Sequence, residues 1–172
     1  MPLSGKNLAV LTEDLFNEFE LIYPYCRLRE AGAEVTVVGT SGGTVYHAKS
    51  GLAFACDKGS GEVSAGEFDG LLIPGGYAPD HMRRHQATVR LVRDIFAAGK
   101  PVGAICHAGW MLASAGVLPG KRCTSFSAIK DDLVHAGALW EDAEVVVDGN
   151  LITSRTPEDL PAFMKAFLAA FK

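Results

Sequence analysis

Cys106 and His107 stand side by side where an apolar segment meets an amphipathic one, and this placement could support nucleophilic chemistry. Residues 101–105 predict a buried strand, and residues 107–115 predict a helix that follows without a loop. A cysteine at such a corner is held in a sharp turn, much like the nucleophile elbow of the serine hydrolases. The helix would also point its positive dipole end at the sulfur. We therefore expect Cys106 to be a reactive nucleophile whose thiol pKa lies below the ordinary value.

Backbone N–H groups near Cys106 could hold an oxyanion. The amide of His107 directly follows the nucleophile, and Gly75 and Gly76 follow another apolar segment, residues 69–73. We expect the amides of Gly76 and His107 to form the donor pair, with a plain glycine turn as the alternative. The side chain of His107 is equally compatible with a catalytic partner of the thiol and with an ordinary residue at a helix start.

The elements that must position these residues alternate between strands and helices. Strands are expected at residues 7–12, 34–39, 69–73 and 101–105, and helices at 18–30, 86–98, 107–115 and 129–136. One hairpin is expected around Val45 and Phe54 and another at 144–154. A last helix follows, with Thr156 as its N-cap. Pro24 lies inside the first helix, where a kink or a late start is expected. The alternation predicts an α/β fold with a mostly parallel sheet and helices on both faces. Ligands of such folds bind beyond the carboxyl ends of the strands, where Cys106 and Gly76 fall.

Composition narrows the classes of function. The chain has 172 residues, 48% of them hydrophobic, and a formal net charge of −4. We expect residues 1–172 to form a single domain, and the mild acidity favours neither nucleic acid nor an anionic membrane surface as a partner. The sequence has no apolar run of membrane-spanning length and begins without the features of a signal peptide, so a cytoplasmic location is expected.

The four cysteines, Cys26, Cys56, Cys106 and Cys123, are widely separated. Their spacing shows no C-x-x-C pair and no matching Cys/His pattern, so neither a zinc site nor a disulfide framework is predicted. No metal and no cofactor is expected.

Short motifs along almost the whole chain resemble the PfpI family of intracellular cysteine peptidases. That family lies in a superfamily with the parkinsonism-associated deglycase and the class I glutamine amidotransferase-like proteins. The motifs are Glu20–Tyr25, Glu67–Asp69, Leu72–Gly76, Ala78–Pro79, Gly99–Val102, Ile105–His107, Ser114–Leu118, Thr124–Ser125, Asp131–Asp132, Val145–Asn150 and Ser154–Arg155. The resemblance implies a flavodoxin-like three-layer sandwich in which Cys106 is the nucleophile and His107 its partner.

The resemblance also implies that the chain forms a homo-oligomer, at least a dimer and up to a hexamer. In PfpI-like proteins an acid after the Gly-Gly-x-Ala-Pro segment completes the site of a neighbouring subunit, and Asp80 holds that position here. Aspartate is one methylene shorter than the usual glutamate. An acid in the first turn of a helix after Pro79 is the alternative interpretation.

Three positions depart from the family's pattern. Many relatives carry a glutamate hydrogen-bonded to the sulfur in the loop after the first strand, and an ungapped count places Asn17 there, with Glu18 beside it. Either Glu18 takes the role, an insertion brings Glu13 or Asp14 into it, or Asn17 replaces the carboxylate. His107 is followed by Ala-Gly instead of Gly-Pro, and Phe126 stands where tyrosine is frequent.

Three functions are compatible with these residues. The first is a cysteine hydrolase of the peptidase or amidase type, in which Cys106 attacks a carbonyl, His107 moves the proton and Asp80 orients His107. The second is a cofactor-free glyoxalase or deglycase acting on small carbonyl compounds through a hemithioacetal. The third is an oxidative-stress sensor in which Cys106 is oxidised reversibly.

Overall fold

Seven strands form the central sheet of the computed structural model, which describes residues 1–171. In chain order the strands are β1 (Asn7–Leu11), β2 (Glu34–Gly39), β3 (Val45–His47), β4 (Ala53–Ala55), β5 (Lys58–Gly59), β6 (Gly70–Ile73), β7 (Val102–Ile105), β8 (Arg122–Cys123), β9 (Leu139–Trp140), β10 (Val145–Asp148) and β11 (Leu151–Ser154). The helices are α1 (Glu18–Glu30), α2 (Ala78–Met82), α3 (Gln86–Ala97), α4 (Gly109–Ala115), α5 (Lys130–His135) and α6 (Leu160–Ala169).

The sheet has the strand order β10-β11-β7-β6-β1-β2-β5, and all neighbours are parallel except β10 and β11. Helices α1 and α6 contact each other over one face, and α3 packs on α4 over the other. The result is the flavodoxin-like α/β fold that the sequence predicted. Strands β3 and β4 form a separate hairpin, as expected, and β8 pairs with β9. None of the helices described has the length and apolar composition needed to cross a bilayer.

Strand register explains why the candidate residues meet. Val10 of β1 lies beside Leu72 of β6, and Leu72 lies beside Gly103 of β7. The three strands therefore reach their carboxyl ends at the same level. The turn after β6, with Gly75, and the turn after β7, with Cys106, are thus neighbours at one sheet edge.

Three local expectations differ in detail from the structure. Helix α1 begins at Glu18 and includes Pro24, so the late start considered for this helix was wrong. Residues Cys106–Ala108 form a 3-10 turn before α4, so the α-helix starts three residues after the cysteine. Thr156 occupies the expected N-cap position, but it precedes another 3-10 turn, Pro157–Asp159, and its side chain makes no capping hydrogen bond to the backbone.

Candidate active site

A cavity of about 810 Å³ opens at the carboxyl edge of β1, β6 and β7. Its walls are mainly apolar and aromatic, with three glutamates and one lysine among them. The lining residues are Leu15, Phe16, Asn17, Glu18, Glu20, Lys49, Gly76, Tyr77, Cys106, His107, Phe126, Thr156, Pro157 and Glu158.

Cys106 sits at the bottom of this cavity in an unusual backbone conformation. Its φ is 61°, in the left-handed region, which costs an L-residue about 1–2 kcal/mol. Such strain persists only where the surroundings impose it, and it clusters at functional sites. The preceding Ile105 is extended, so the chain turns sharply at the cysteine. The turn points the side chain into the cavity, although the residue is only 8% exposed.

His107 lies against the thiol and is fixed by aromatic rings. Its Nδ1 is 3.2 Å from the Sγ of Cys106. The ring stacks on Phe126, with centroids 5.0 Å apart, and meets Trp110 edge-on at 5.1 Å. Partial burial lowers the pKa of His107, which favours the neutral imidazole. Among residues 1–171, Nε2 has no hydrogen-bond partner.

The backbone N–H groups of Gly76 and His107 lie near the sulfur, and both lower the pKa of the thiol. The structure thus brings together the two donors that the sequence suggested for an oxyanion. Gly76 has a φ of 76°, and a Cβ there would lie 2.5 Å from the backbone of Leu15 and of Asn17. Glycine is therefore needed at this position for its conformation and for the close approach of the chain.

The carboxyl group next to the thiol is that of Glu20, which sequence reasoning missed. Glu20 has no exposed surface, and its Oε2 accepts a hydrogen bond from the amide of Gly75 at 2.8 Å. Burial raises the pKa of Glu20 to about 7, whereas the hydrogen bond from the Gly75 amide and the nearby Cys106 side chain act in the opposite direction. Its Oε1 is buried and has no hydrogen-bond partner among the described residues.

Asn17 and Glu18, the candidates for this role, line the cavity but are engaged elsewhere. The Asn17 side chain caps α1 by accepting from the amides of Phe19 and Glu20. The Oε1 of Glu18 accepts from the amide of Ser50 at 3.2 Å. The placement of the acid at Asn17 or Glu18 was therefore wrong, because Asn17 serves as the cap of α1, Glu18 binds the amide of Ser50, and the carboxyl group at the thiol is that of Glu20 in the same first turn.

The alternatives Glu13 and Asp14 do not line the cavity and are also engaged elsewhere. Glu13 accepts from the hydroxyl of Thr40, and Asp14 accepts from the amide of His47 at 2.8 Å. Glu13 is thus bound to the segment after β2, and Asp14 to the end of β3. Glu20 lies inside the motif Glu20–Tyr25, but no neighbouring residue marked it as the carboxyl group at the thiol.

The expected low thiol pKa is not what the structure supports. Burial is the largest effect, and together with the nearby charge of Glu20 it raises the pKa of Cys106 to about 12. The helix that was expected to stabilise a thiolate begins only at Gly109 and has seven residues. A negative charge on Glu20 opposes a negative charge on the sulfur. A thiolate therefore forms most readily when Glu20 holds a proton.

Asp80 lies in α2, where it forms an ion pair with Arg84 one helical turn later. Within residues 1–171 it makes no hydrogen bond to His107. Gly76, Cys106 and His107 are thus gathered by one chain, and Asp80 is not. Its role at the site of a neighbouring subunit stays a prediction.

The chain matches the model of the DJ-1/PfpI family over residues 6–170. It is 47% identical over 165 residues to a deglycase of Pyrococcus abyssi, covering 96% of this chain and 99% of the relative. It is 44% identical over 166 residues to protein/nucleic acid deglycase 2 of Escherichia coli, covering 95% and 96%. A Bacillus subtilis relative, 40% identical over 168 residues and covering 98% and 99%, has the provisional name cysteine protease YraA.

Solved structures agree with these sequence matches. The crystal structure of Drosophila melanogaster DJ-1beta superposes with a TM-score of 0.90 at 33% identity, covering 97% of this chain and 91% of that one. The family model spans nearly every element described, from β1 through α6. The resemblance inferred from the motifs is confirmed: the chain belongs to the DJ-1/PfpI family.

Proposed function

We propose that this protein is a cofactor-free enzyme of the deglycase or glyoxalase type, acting on dicarbonyl compounds or on the groups they have modified. The observation that carries the proposal is the buried carboxyl of Glu20 beside the thiol of Cys106, with a pKa of about 7. A general acid–base group works best when its pKa lies near the pH of the reaction. The names of the Pyrococcus and Escherichia relatives support the same chemistry, so the alternative from the sequence is better supported than the peptidase interpretation placed first.

The chemistry balances with the groups present. The Cys106 sulfur adds to the aldehyde carbon of methylglyoxal, and the thiol proton passes to the carbonyl oxygen, which gives a hemithioacetal and leaves Glu20 as a carboxylate. Glu20 then moves the proton from the former aldehyde carbon to the neighbouring ketone carbon, while the hydroxyl proton passes to the former ketone oxygen, which leaves a thioester of lactate. Water hydrolyses the thioester, so methylglyoxal and water give lactate and free Cys106. No external oxidant or reductant is needed, because one carbon is oxidised while its neighbour is reduced.

The backbone amides of Gly76 and His107 would stabilise the negative oxygen during addition and hydrolysis. They are fixed by the two adjoining turns and need no rearrangement as the charge develops. Neutral His107, with Nδ1 beside the sulfur, can relay the proton between the thiol and the substrate oxygen. The roles of Cys106, His107, Gly76 and Glu20 are parts of this proposal.

A cysteine peptidase or amidase is the second candidate. The observation in its favour is the open edge of His107, whose Nε2 could receive a carboxylate such as Asp80 from a second copy of the chain. That version requires a homo-oligomer and requires Asp80 to exchange its ion pair with Arg84 for one with His107. The provisional name of the Bacillus relative agrees with this reading. Glu20, however, has no part in the peptidase mechanism.

The test is to incubate the protein with methylglyoxal, without added thiol, and to measure lactate per mole of chains beside a Cys106→Ala control. Many turnovers in the wild type and none in the variant are expected. One equivalent of lactate or less would reject the dicarbonyl reaction. Peptide cleavage that disappears in Asp80→Asn would then establish the hydrolase, and reversible oxidation of Cys106 without turnover would support the sensor.

A further inference from the structure

The entrance to the cavity carries an excess of negative charge. We use "mouth" for Glu18, Lys49 and Glu158, the charged lining residues that are half-buried or exposed. Hydrogen bonds from Ser50 lower the pKa of Glu18, and the Thr156 side chain lowers that of Glu158. Both carboxyl groups are therefore ionised at neutral pH. Among the described residues that line the cavity, Lys49 is the only lysine or arginine.

The charges at the mouth are held in place by the local structure. Glu18 anchors the turn between β3 and β4 through the amide of Ser50, next to Lys49. The hairpin is also tied at His47, whose carbonyl accepts from Leu15 at 2.7 Å. Glu158 stands in the 3-10 turn that leads into α6. Its charge reaches the bottom of the cavity, since it contributes to the raised pKa of Glu20.

A second observation shows that the cavity is suited to a polar ligand. Glu20 is fully buried and lines the cavity, and its Oε1 has no hydrogen-bond partner among the described residues. A buried acceptor without a donor is costly, and a ligand bearing N–H or O–H groups would supply one. The nearby charge of Glu158 makes a positively charged donor more favourable than an anionic group. In a cavity with mainly apolar walls, the field of such charges acts strongly on a ligand that enters.

We propose that Glu18 and Glu158 select substrates with a positive charge beside the reacting carbonyl, such as the carbonyl adducts of lysine- or arginine-rich peptides, over the phosphate-bearing adducts of nucleotides. This inference deepens the proposed function and rests on it for the identity of the reaction. Lys49 opposes the two carboxylates, so its removal strengthens the preference. The neutral reacting group itself contributes nothing to the discrimination.

The experiment measures the charge preference at Cys106 without requiring turnover. The protein is labelled with a cationic and an anionic methanethiosulfonate of similar size, bearing trimethylammonium-ethyl and sulfonatoethyl groups. Each transfers its thioalkyl group to a cysteine as a mixed disulfide and releases methanesulfinate. Rates are followed at each cysteine by peptide mass spectrometry. Exposed Cys26, on α1, provides an internal reference in the same sample.

We expect the ratio of cationic to anionic labelling at Cys106 to fall about threefold to fivefold in Glu158→Gln and in Glu18→Gln, and to rise by a similar factor in Lys49→Gln. The ratio at Cys26 should stay constant across the Glu158 and Lys49 variants. Glu34→Gln, which removes an exposed carboxylate at the opposite edge of the sheet, is the matched control and should leave the Cys106 ratio in place.

A Cys106 ratio that does not change in Glu158→Gln and Lys49→Gln would overturn the inference. So would a preference of wild-type Cys106 for the anionic reagent, which would favour nucleotide adducts instead. Failure of the proposed function is seen separately. A charge preference without lactate formation would leave the electrostatic inference standing and reject the reaction, whereas lactate formation without a charge preference would do the reverse.

Discussion

Three glutamates line one cavity, yet their surroundings shift their pKa values in opposite directions. At the floor, which we define as Glu20, Gly75 and Cys106, desolvation raises the pKa of Glu20 to about 7. At the mouth, hydrogen bonds lower the pKa of Glu18 and of Glu158. Glu18 and Glu20 are only two positions apart in α1, and residues with this spacing point to different sides of a helix. Their positions in the first turn of α1 thus make Glu20 a candidate base and Glu18 a fixed charge near the surface.

The strongest test of this difference is Glu20→Gln, which keeps the size of the side chain and removes its proton exchange. We expect kcat/KM for methylglyoxal to fall about 10²-fold to 10⁴-fold, the range typical of a lost general base. In the wild type, activity should decline as the pH falls through about 7, because Glu20 must be a carboxylate to accept protons. That decline should be absent from the residual activity of the variant.

Glu18→Gln is the matched control for the pH profile, since it neutralises a carboxyl group two residues away. This variant should retain the decline in activity near pH 7. The pKa of Glu18 in the wild type is lowered, so this carboxyl group is already ionised at that pH and does not cause the decline. A decline near pH 7 that vanished in Glu18→Gln and persisted in Glu20→Gln would assign the titration to the mouth and contradict the assignment to the floor.

Glu20→Gln, which is expected to lower activity, should increase the stability of the folded protein. The pKa of Glu20 is higher in the folded protein, about 7, than the 4.5 of a free side chain, so the unfolded chain releases its proton first. Between those values stability falls as the pH rises, and above pH 7 the full cost remains. Glu20→Gln should therefore raise the free energy of unfolding by about 1–3 kcal/mol at pH 8 and change it little near pH 4.

Urea denaturation at the two pH values measures this difference directly. A buried carboxyl group that costs stability while supporting activity is the usual trade-off of an active site. If Glu20→Gln were destabilising at pH 8 by the same amount as at pH 4, the carboxylate would not be paying a desolvation penalty, and the comparison between floor and mouth would lose its basis.

The sequence predicted the frame of this site better than its electrostatics. Apolar runs and turn glycines identified the strands whose ends carry Gly76 and Cys106, because burial and backbone geometry leave patterns in the residue types. Glu20 was missed because nothing in its neighbours distinguishes a glutamate on the exposed side of a first turn from one that faces a thiol. That difference depends on how α1 packs against the turn at Gly75, which brings together residues 55 positions apart.

The thiol pKa was misjudged for a related reason. A dipole argument at Cys106 uses only local sequence, whereas the dominant effects come from burial and from Glu20, both of which depend on the tertiary structure. The 3-10 turn at Cys106–Ala108 further displaces the helix from the sulfur. For Asp80, the motif indicates a role at the site, but within one chain this residue pairs with Arg84 and does not contact His107.

The tightness of the floor can be tested at Gly75. A Cβ there would lie 2.5 Å from the Oε2 of Glu20, 2.7 Å from the Cβ of Cys106 and 2.9 Å from the carbonyl of Ile105. Two of these neighbours are held by the backbone, so Gly75→Ala should destabilise the fold by about 1–3 kcal/mol. Because the collision also displaces Glu20, lactate formation should fall more than the loss of folded protein explains.

Gly61→Ala is the matched control for this substitution. The nearest atom to its added Cβ is the Cβ of Ala87 at 4.0 Å, so the methyl group has room. Its melting temperature should stay close to that of the wild type or rise slightly, since alanine restricts the unfolded chain. Equal losses of stability for both variants would show that the turn at Gly75 is less closely packed than its geometry indicates.

The smallest expected effect is that of salt, which should weaken the electrostatic effect of the mouth but leave that of the floor almost unchanged. Mobile ions screen exposed charges but have little access to a buried pair. Raising the ionic strength from low salt to roughly 0.5 M should therefore reduce the charge preference of Cys106 labelling about twofold to threefold. The pH midpoint of lactate formation should move by less than about 0.3 units, since Glu20 has no exposed surface. A midpoint that shifted with salt as strongly as the labelling ratio would mean that solvent reaches Glu20, and that floor and mouth form one electrostatic environment.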